Sequence, residues 1–186
     1  GFQVRALLKF MGEERGLTDT KELSVFLDVE AARKRGRALA KKLQGTVPVI
    51  YASQPNKSLS HIWKIKFNET AKIPAFCNTF PEVNHNEMTG FDVARKAAAL
   101  ARPFHFVFLQ DENDSGKVTQ RMEETKKMFR KRGLRAEIVE LRGNETWHKI
   151  FDALMIADWT ALELAEHYGA EPDAVPMVEE FKKRIA

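Results

Sequence analysis

Val47-Pro48-Val49-Ile50-Tyr51-Ala52 carries no charge and lies between Gly45 and the polar run Ser53-Gln54-Pro55-Asn56. A strand-length segment that is apolar at every position, rather than at alternate ones, is buried on both faces. Such strands belong to parallel sheets with helices above and below. Upstream, Glu30 to Leu43 reads as a helix with Ala31, Ala38, Leu39, Ala40 and Leu43 as its apolar stripe. Gly45 ends that helix as a C-terminal cap.

The same alternation continues downstream. Ser58 is placed to cap a helix running through Trp63, Phe67 and Ala71. Pro74 opens a short strand, Ala75 to Phe80, and Asn84 to Asn86 reads as a loop. Glu87 to Leu100 reads as a helix broken at Gly90. Phe104 to Leu109 is a third, wholly apolar strand, followed by the polar loop Asp111–Gly116. Thr119 to Arg132 is a helix with Met122, Met128 and Phe129 inward, capped by Gly133. Arg135 to Leu141 alternates, as a fourth strand near a sheet edge does. Glu145 to Tyr168 is one long helix with Ile150, Phe151, Leu154, Met155, Trp159, Leu162 and Leu164 as its apolar residues. Pro172 and Pro176 bracket a turn before a last helix, Met177 to Ile185. Residues 2–12 read as the end of a helix, Gly16 to Asp19 as a turn, and Leu23 to Leu27 as an apolar group without a period. The expectation is an α/β three-layer sandwich with a mainly parallel sheet of four to five strands. Residues 1–29 form an N-terminal helical linker or extension and 30–186 the domain proper. Ligands of such sheets bind beyond the carboxyl ends of the strands. That singles out the loops Ser53–Ser58, Phe80–Glu87 and Asp111–Gly116.

Composition narrows the function. The 186 residues are 44% hydrophobic, enough for a real core. No apolar run approaches a membrane span, so no membrane partner is expected. The chain starts at Gly1 without a signal-peptide pattern, and a processed terminus or an excised piece of a longer protein is the expectation. One cysteine, Cys77, excludes an internal disulfide and a multi-cysteine zinc site, and suits a reducing, cytoplasmic setting. The net charge of +4 comes from clusters such as Arg33-Lys34-Arg35-Gly36-Arg37. These sit on helices among acids and without interleaved aromatics, which points to solvated faces rather than a nucleic-acid footprint. A basic surface also suits a small anionic substrate.

The surplus of polar groups lies in Asn68-Glu69-Thr70-Ala71-Lys72 and Pro81-Glu82-Val83-Asn84-His85-Asn86-Glu87. Glu69 falls near the C-terminal end of a helix, where a carboxylate meets the negative end of the dipole. It is a candidate base, or else a surface residue paired with Lys72 or Lys66. His85 is the side chain best suited to move a proton near neutrality, or a loop histidine bonded to the backbone. Glu87 can orient that imidazole or cap the next helix. His105 reads as structural, Cys77 as a buried inert thiol, and Trp63, Trp147 and Trp159 as core. No dinucleotide fingerprint, phosphate loop, zinc-protease motif or nucleophile elbow is present. His85-Asn86-Glu87 has the spacing of zinc deaminases but lacks their cysteine pair.

Together Trp63-Lys64, Phe67-Asn68-Glu69, Ala71-Lys72-Ile73-Pro74-Ala75-Phe76, Phe80-Pro81-Glu82-Val83-Asn84-His85-Asn86-Glu87 and Gly90 form a long pattern. It resembles the C-terminal sugar-isomerase (SIS) domain of the bifunctional phosphoglucose/phosphomannose isomerases. The pattern departs from that family at Ile62, Lys66 and Thr70, where arginine, glutamine and asparagine are usual. The resemblance implies a SIS-type, flavodoxin-like fold and an aldose–ketose isomerase of sugar phosphates that needs no redox cofactor or metal. It implies Glu69 as the base moving a proton between C1 and C2 through a cis-enediol. It implies His85 as the ring-opening group, reaching the neighbouring subunit's site in a homodimer. Lys182, or its neighbour Lys183, would be the C-terminal lysine, with Asn68, Asn84, Asn86 and Glu87 as substrate-binding residues. It further implies a missing N-terminal SIS domain that holds the sugar phosphate, without which this chain is inactive. The alternative is a non-catalytic sugar-phosphate-binding or regulatory domain of the same fold.

Overall fold

The computed structural model describes residues 2–92 and 95–185. The helices α1 (Phe2–Met11), α2 (Glu14–Lys21), α3 (Leu23–Phe26) and α4 (Val29–Leu43) come first. Then follow β1 (Val47–Ser53), α5 (Lys57–Glu69) and β2 (Phe76–Phe80), and three 3-10 turns at Glu82–Asn84, Glu87–Phe91 and Arg95–Ala97. The chain finishes with α6 (Ala98–Ala101), β3 (Phe104–Gln110), α7 (Gly116–Lys131), β4 (Arg135–Glu140), α8 (Thr146–Tyr168) and α9 (Pro176–Ile185).

The four strands form one parallel sheet in the order β2-β1-β3-β4. Strand parity explains why the central strands carry no polar face. Ile50, Ala52, Val107 and Leu109 meet α4, α5 and α8 on one side of the sheet. Val49, Tyr51, Phe106 and Phe108 meet Met122 and Phe129 of α7 on the other, together with Phe80 and Val83. Both faces are covered, as the apolar runs predict, and β4 is the expected edge strand.

The helices correct several details. The stripe of α4 is Ala32, Gly36, Leu39, Ala40 and Leu43, while Ala31 and Ala38 are exposed. In α7 the inward positions are Met122, Thr125 and Phe129; Met128 is turned out and 39% exposed. The buried face of α8 is built on Ala153, Ala157, Ala161 and Ala165 with Ile156, Thr160 and Leu164. Its larger apolar residues flank that seam half-buried, and Leu162 faces solvent. The physical reason is close approach: a Cβ added at Gly36 of α4 would lie 2.6 Å from Trp159 Cβ. Only small side chains fit such a crossing.

Gly16 to Asp19 belongs to α2 rather than to a turn. Gly16 lets Leu8 and Trp147 come close, since an added Cβ would meet them at 2.9 and 3.1 Å. The periodless Leu23–Leu27 group contains α3, whose Phe26 ring stacks on His148 at 4.5 Å. Asn56, not Ser58, holds the N-cap position of α5, and its side chain bonds elsewhere. The helix expected over Glu87–Leu100 is instead a run of 3-10 turns ending in α6; residues 93 and 94 of that span lie outside the described residues.

Candidate active site

Parallel pairing brings the ends of β1, β2 and β3 to one edge of the sheet. The strand order reverses between β1 and β3, so the crevice at their carboxyl ends is the switch point of the fold. Side chains of the chain itself stitch this crevice. Thr79 Oγ1 lies 3.0 Å from Gln54 Oε1, and Asn56 Nδ2 donates to Ser53 Oγ at 3.1 Å and Asp111 Oδ2 at 3.4 Å. Lys149 Nζ reaches Asp111 at 2.7 Å and Glu112 at 2.9 Å with its side chain only 4% exposed. Burial alone would raise the Asp111 carboxyl, but Lys149 and the Asn113 N–H hold it below the usual carboxylate range. An open cleft of about 500 Å³ continues beside this network, lined by Gln110, Thr119, Glu140 and Arg142. Among the described residues no group of three or more His, Cys, Asp or Glu side chains is arranged to hold a metal ion.

The His85 turn leaves β2 at the same edge. Asn84 Nδ2 donates to Thr125 Oγ1 of α7 at 2.8 Å, and Asn86 Nδ2 donates to Glu82 Oε1 at 2.7 Å. The Glu87 carboxylate accepts from the Tyr51 hydroxyl and the Asn78 amide. It therefore neither orients the His85 imidazole nor caps a helix. The three residues expected to bind substrate here are all engaged in hydrogen bonds within the chain that hold the turn. His85 itself is exposed, and its imidazole has no hydrogen-bond partner among the described residues.

Glu69 is placed differently. It is the last residue of α5, and its exposed carboxylate has no ion-pair or hydrogen-bond partner among the described residues. Lys66 pairs with Asp158, and Lys72, at φ 56°, donates to the backbone carbonyls of Glu69 and Pro172. Asn68 Nδ2 donates to the Ile73 carbonyl at 2.9 Å, which shapes the loop after the helix. Lys182 is exposed on α9 and pairs with Glu179 at 2.9 Å.

The crossover geometry separates the two proton-moving candidates. α5 begins beside the carboxyl end of β1 and runs back about 20 Å at 1.5 Å per residue. β2 then climbs about 16 Å at 3.3 Å per residue before the His85 turn. Glu69 and His85 thus sit at opposite edges of the sheet, Glu69 at the amino edge and His85 at the carboxyl edge. The expectation that both ends of the polar segment border the switch point is corrected for Glu69. Sequence reasoning also passed over Tyr51, Asn78 and Lys149, and singled out Asp111 only as the first residue of a candidate ligand loop. Lys149 carried a signal: it is in step with Ala153, Ile156 and Thr160 on the buried stripe of α8, and a lysine there requires a buried partner.

This arrangement has counterparts among known proteins. The chain is 28% identical over its whole length to the bifunctional phosphoglucose/phosphomannose isomerase of Aquifex aeolicus, covering 57% of that protein. It is 35% identical over 75% of its length to the enzyme of the same name from Thermoplasma volcanium, covering 43% of it. The chain thus spans about half the length of these relatives. The crystal structure of a glucose-6-phosphate isomerase like protein from Thermus thermophilus shares the fold. Its TM-score is 0.64 at 20% identity, over 92% of this chain and 59% of that one. Residues 32–185 match the family described as bacterial phospho-glucose isomerase C-terminal SIS domain. That match runs from the first core helix to the last helix and takes in the whole sheet, so the chain belongs to this SIS domain family.

Proposed function

We propose that this chain is the C-terminal half of an aldose–ketose isomerase that interconverts glucose 6-phosphate and fructose 6-phosphate and also acts on mannose 6-phosphate. Glu69 takes the proton from C2 of the open-chain aldose and returns it to C1, while the O2 hydroxyl proton passes to O1 through the cis-enediol. No electron is gained or lost, so the reaction asks only for a base, a ring-opening group and donors to the enediolate. His85 assists ring opening, and Lys182 is the C-terminal lysine of the site. An N-terminal domain of the same polypeptide holds the phosphate, and a second copy completes each site, because one copy cannot bring Glu69 and His85 together. Asn68, Asn84, Asn86 and Glu87 act by shaping the backbone around the two proton-moving groups.

The observation that carries this reading is the Glu69 carboxylate, exposed and without a counter-ion among the described residues, at a helix end inside a chain of the SIS family. A surface glutamate beside Lys66 and Lys72 would be expected to pair with one of them; both are engaged elsewhere. The test is Glu69→Gln in the complete polypeptide. Turnover is lost and sugar-phosphate binding persists; a variant with wild-type turnover overturns the reading in favour of a binding or regulatory domain.

A further inference from the structure

Every polar neighbour of His85 on its turn is tied down, and the ties come from two sides. Asn84 is fastened to α7 through Thr125, with the Arg121 guanidinium donating to its side-chain Oδ1 at 3.5 Å. Glu87, two residues beyond His85, is fastened to the sheet through Tyr51 and Asn78. Tyr51 and Asn78 are register partners across β1 and β2, so their side chains leave the same face and converge on one carboxylate.

The Tyr51 hydroxyl is not explained by packing. Its ring is fully buried, 5.6 Å from Phe108 and 5.9 Å from Phe80, and every aromatic ring it packs against is a phenylalanine. A phenylalanine would fill that space without burying a hydroxyl, which is unfavourable unless it is bonded. Burial and the adjacent Glu87 both push its ionisation upward, so it is a permanent donor. Its ring contacts make it a fixed reference point against which the turn is set.

We propose that Tyr51 and Asn78, acting through the Glu87 carboxylate, are positioning residues that fix the turn presenting His85. The assignment rests on the ring-opening role proposed for His85. Neither residue touches substrate; each acts by holding the backbone two residues from the imidazole.

The experiment compares Tyr51→Phe, Asn78→Ala, His85→Ala and the Tyr51→Phe/His85→Ala double variant in the complete polypeptide, with glucose 6-phosphate as substrate. Tyr51→Phe and Asn78→Ala each lower kcat about tenfold with KM within about twofold, the signature of a misplaced group rather than lost binding. The double variant is no slower than His85→Ala alone, because the hydroxyl works only through His85. Backbone amide exchange across 82–91 rises in Tyr51→Phe. Multiplied losses in the double variant, or wild-type kcat in both Tyr51→Phe and Asn78→Ala while His85→Ala is impaired, overturn the positioning role and leave the role of His85 standing. Wild-type kcat in His85→Ala overturns the role of His85 and this assignment with it. Unchanged exchange over 82–91 in Tyr51→Phe overturns the clamp whatever the rates.

Discussion

Lys149 Nζ lies 2.7 Å from Asp111 Oδ1, so a buried cation in the first turn of α8 is matched by the first residue after β3. Removing one member leaves the other charged and poorly hydrated. Lys149→Met is expected to lower stability by about 3 kcal/mol, read as a lower urea midpoint with an unchanged slope. Adding Asp111→Asn to that variant restores part of the loss, because the orphaned carboxylate is gone.

Gly36 marks the closest approach of α4 to α8. An alanine there would place Cβ 2.6 Å from Trp159 Cβ and 3.0 Å from the Ile156 carbonyl oxygen. Helix propensity alone favours alanine by about 1 kcal/mol. The collision outweighs it, and Gly36→Ala is expected to be net destabilising by about 2 kcal/mol in thermal or urea unfolding.

His105 is buried in β3 between half-buried Phe104 and buried Phe106, with Glu137, Arg135 and Lys42 as its charged neighbours. Burial pushes the imidazole down to about 4, with Glu137 opposing and Arg135 assisting. Below its ordinary value near 6.5 the unfolded chain takes up a proton that the folded chain refuses. Stability is therefore fully present above about pH 6.5 and falls as pH drops toward 4, by about 3 kcal/mol in all. Urea unfolding of His105→Gln from pH 7 to 4 is expected to lack this component. The depressed carboxylates Asp111 and Glu137 lose their own contribution only lower in the acid range, so the two effects separate.

The purified 186-residue chain is expected to bind sugar phosphate weakly and to show no isomerase turnover. Adding the purified N-terminal half of the same polypeptide should restore turnover. A single-chain rate within tenfold of the complete polypeptide would show that the half domain is sufficient.

What the sequence disclosed follows from how locally each feature is encoded. The runs at 47–52 and 104–109 are apolar at every position, and that alone specifies strands covered on both faces. Parity then decides which residue meets which helix. The face of α8 was misread because large apolar residues draw attention while the crossing with Gly36 requires small ones; that requirement resides in α4, over a hundred residues away. Glu69 and His85 stood out by residue type. Their separation did not, because it depends on α5 running back along β1 before β2 rises. The Glu87–Tyr51 contact is illegible for a related reason: Tyr51 is hidden inside a run that reads as pure core.

Under the roles proposed for Glu69 and His85 in a homodimer, their opposite-edge placement has a genetic consequence. In a two-fold dimer whose sites each draw Glu69 from one copy and His85 from the other, a Glu69→Gln copy and a His85→Ala copy do not fail together. Their pairing concentrates both defects in one site and leaves the second site intact. Two dead proteins, unfolded and refolded as an equal mixture, should therefore recover about a quarter of wild-type activity, since half the pairs are mixed and half of each mixed pair works. Two alleles, each silent alone, would complement within one cell.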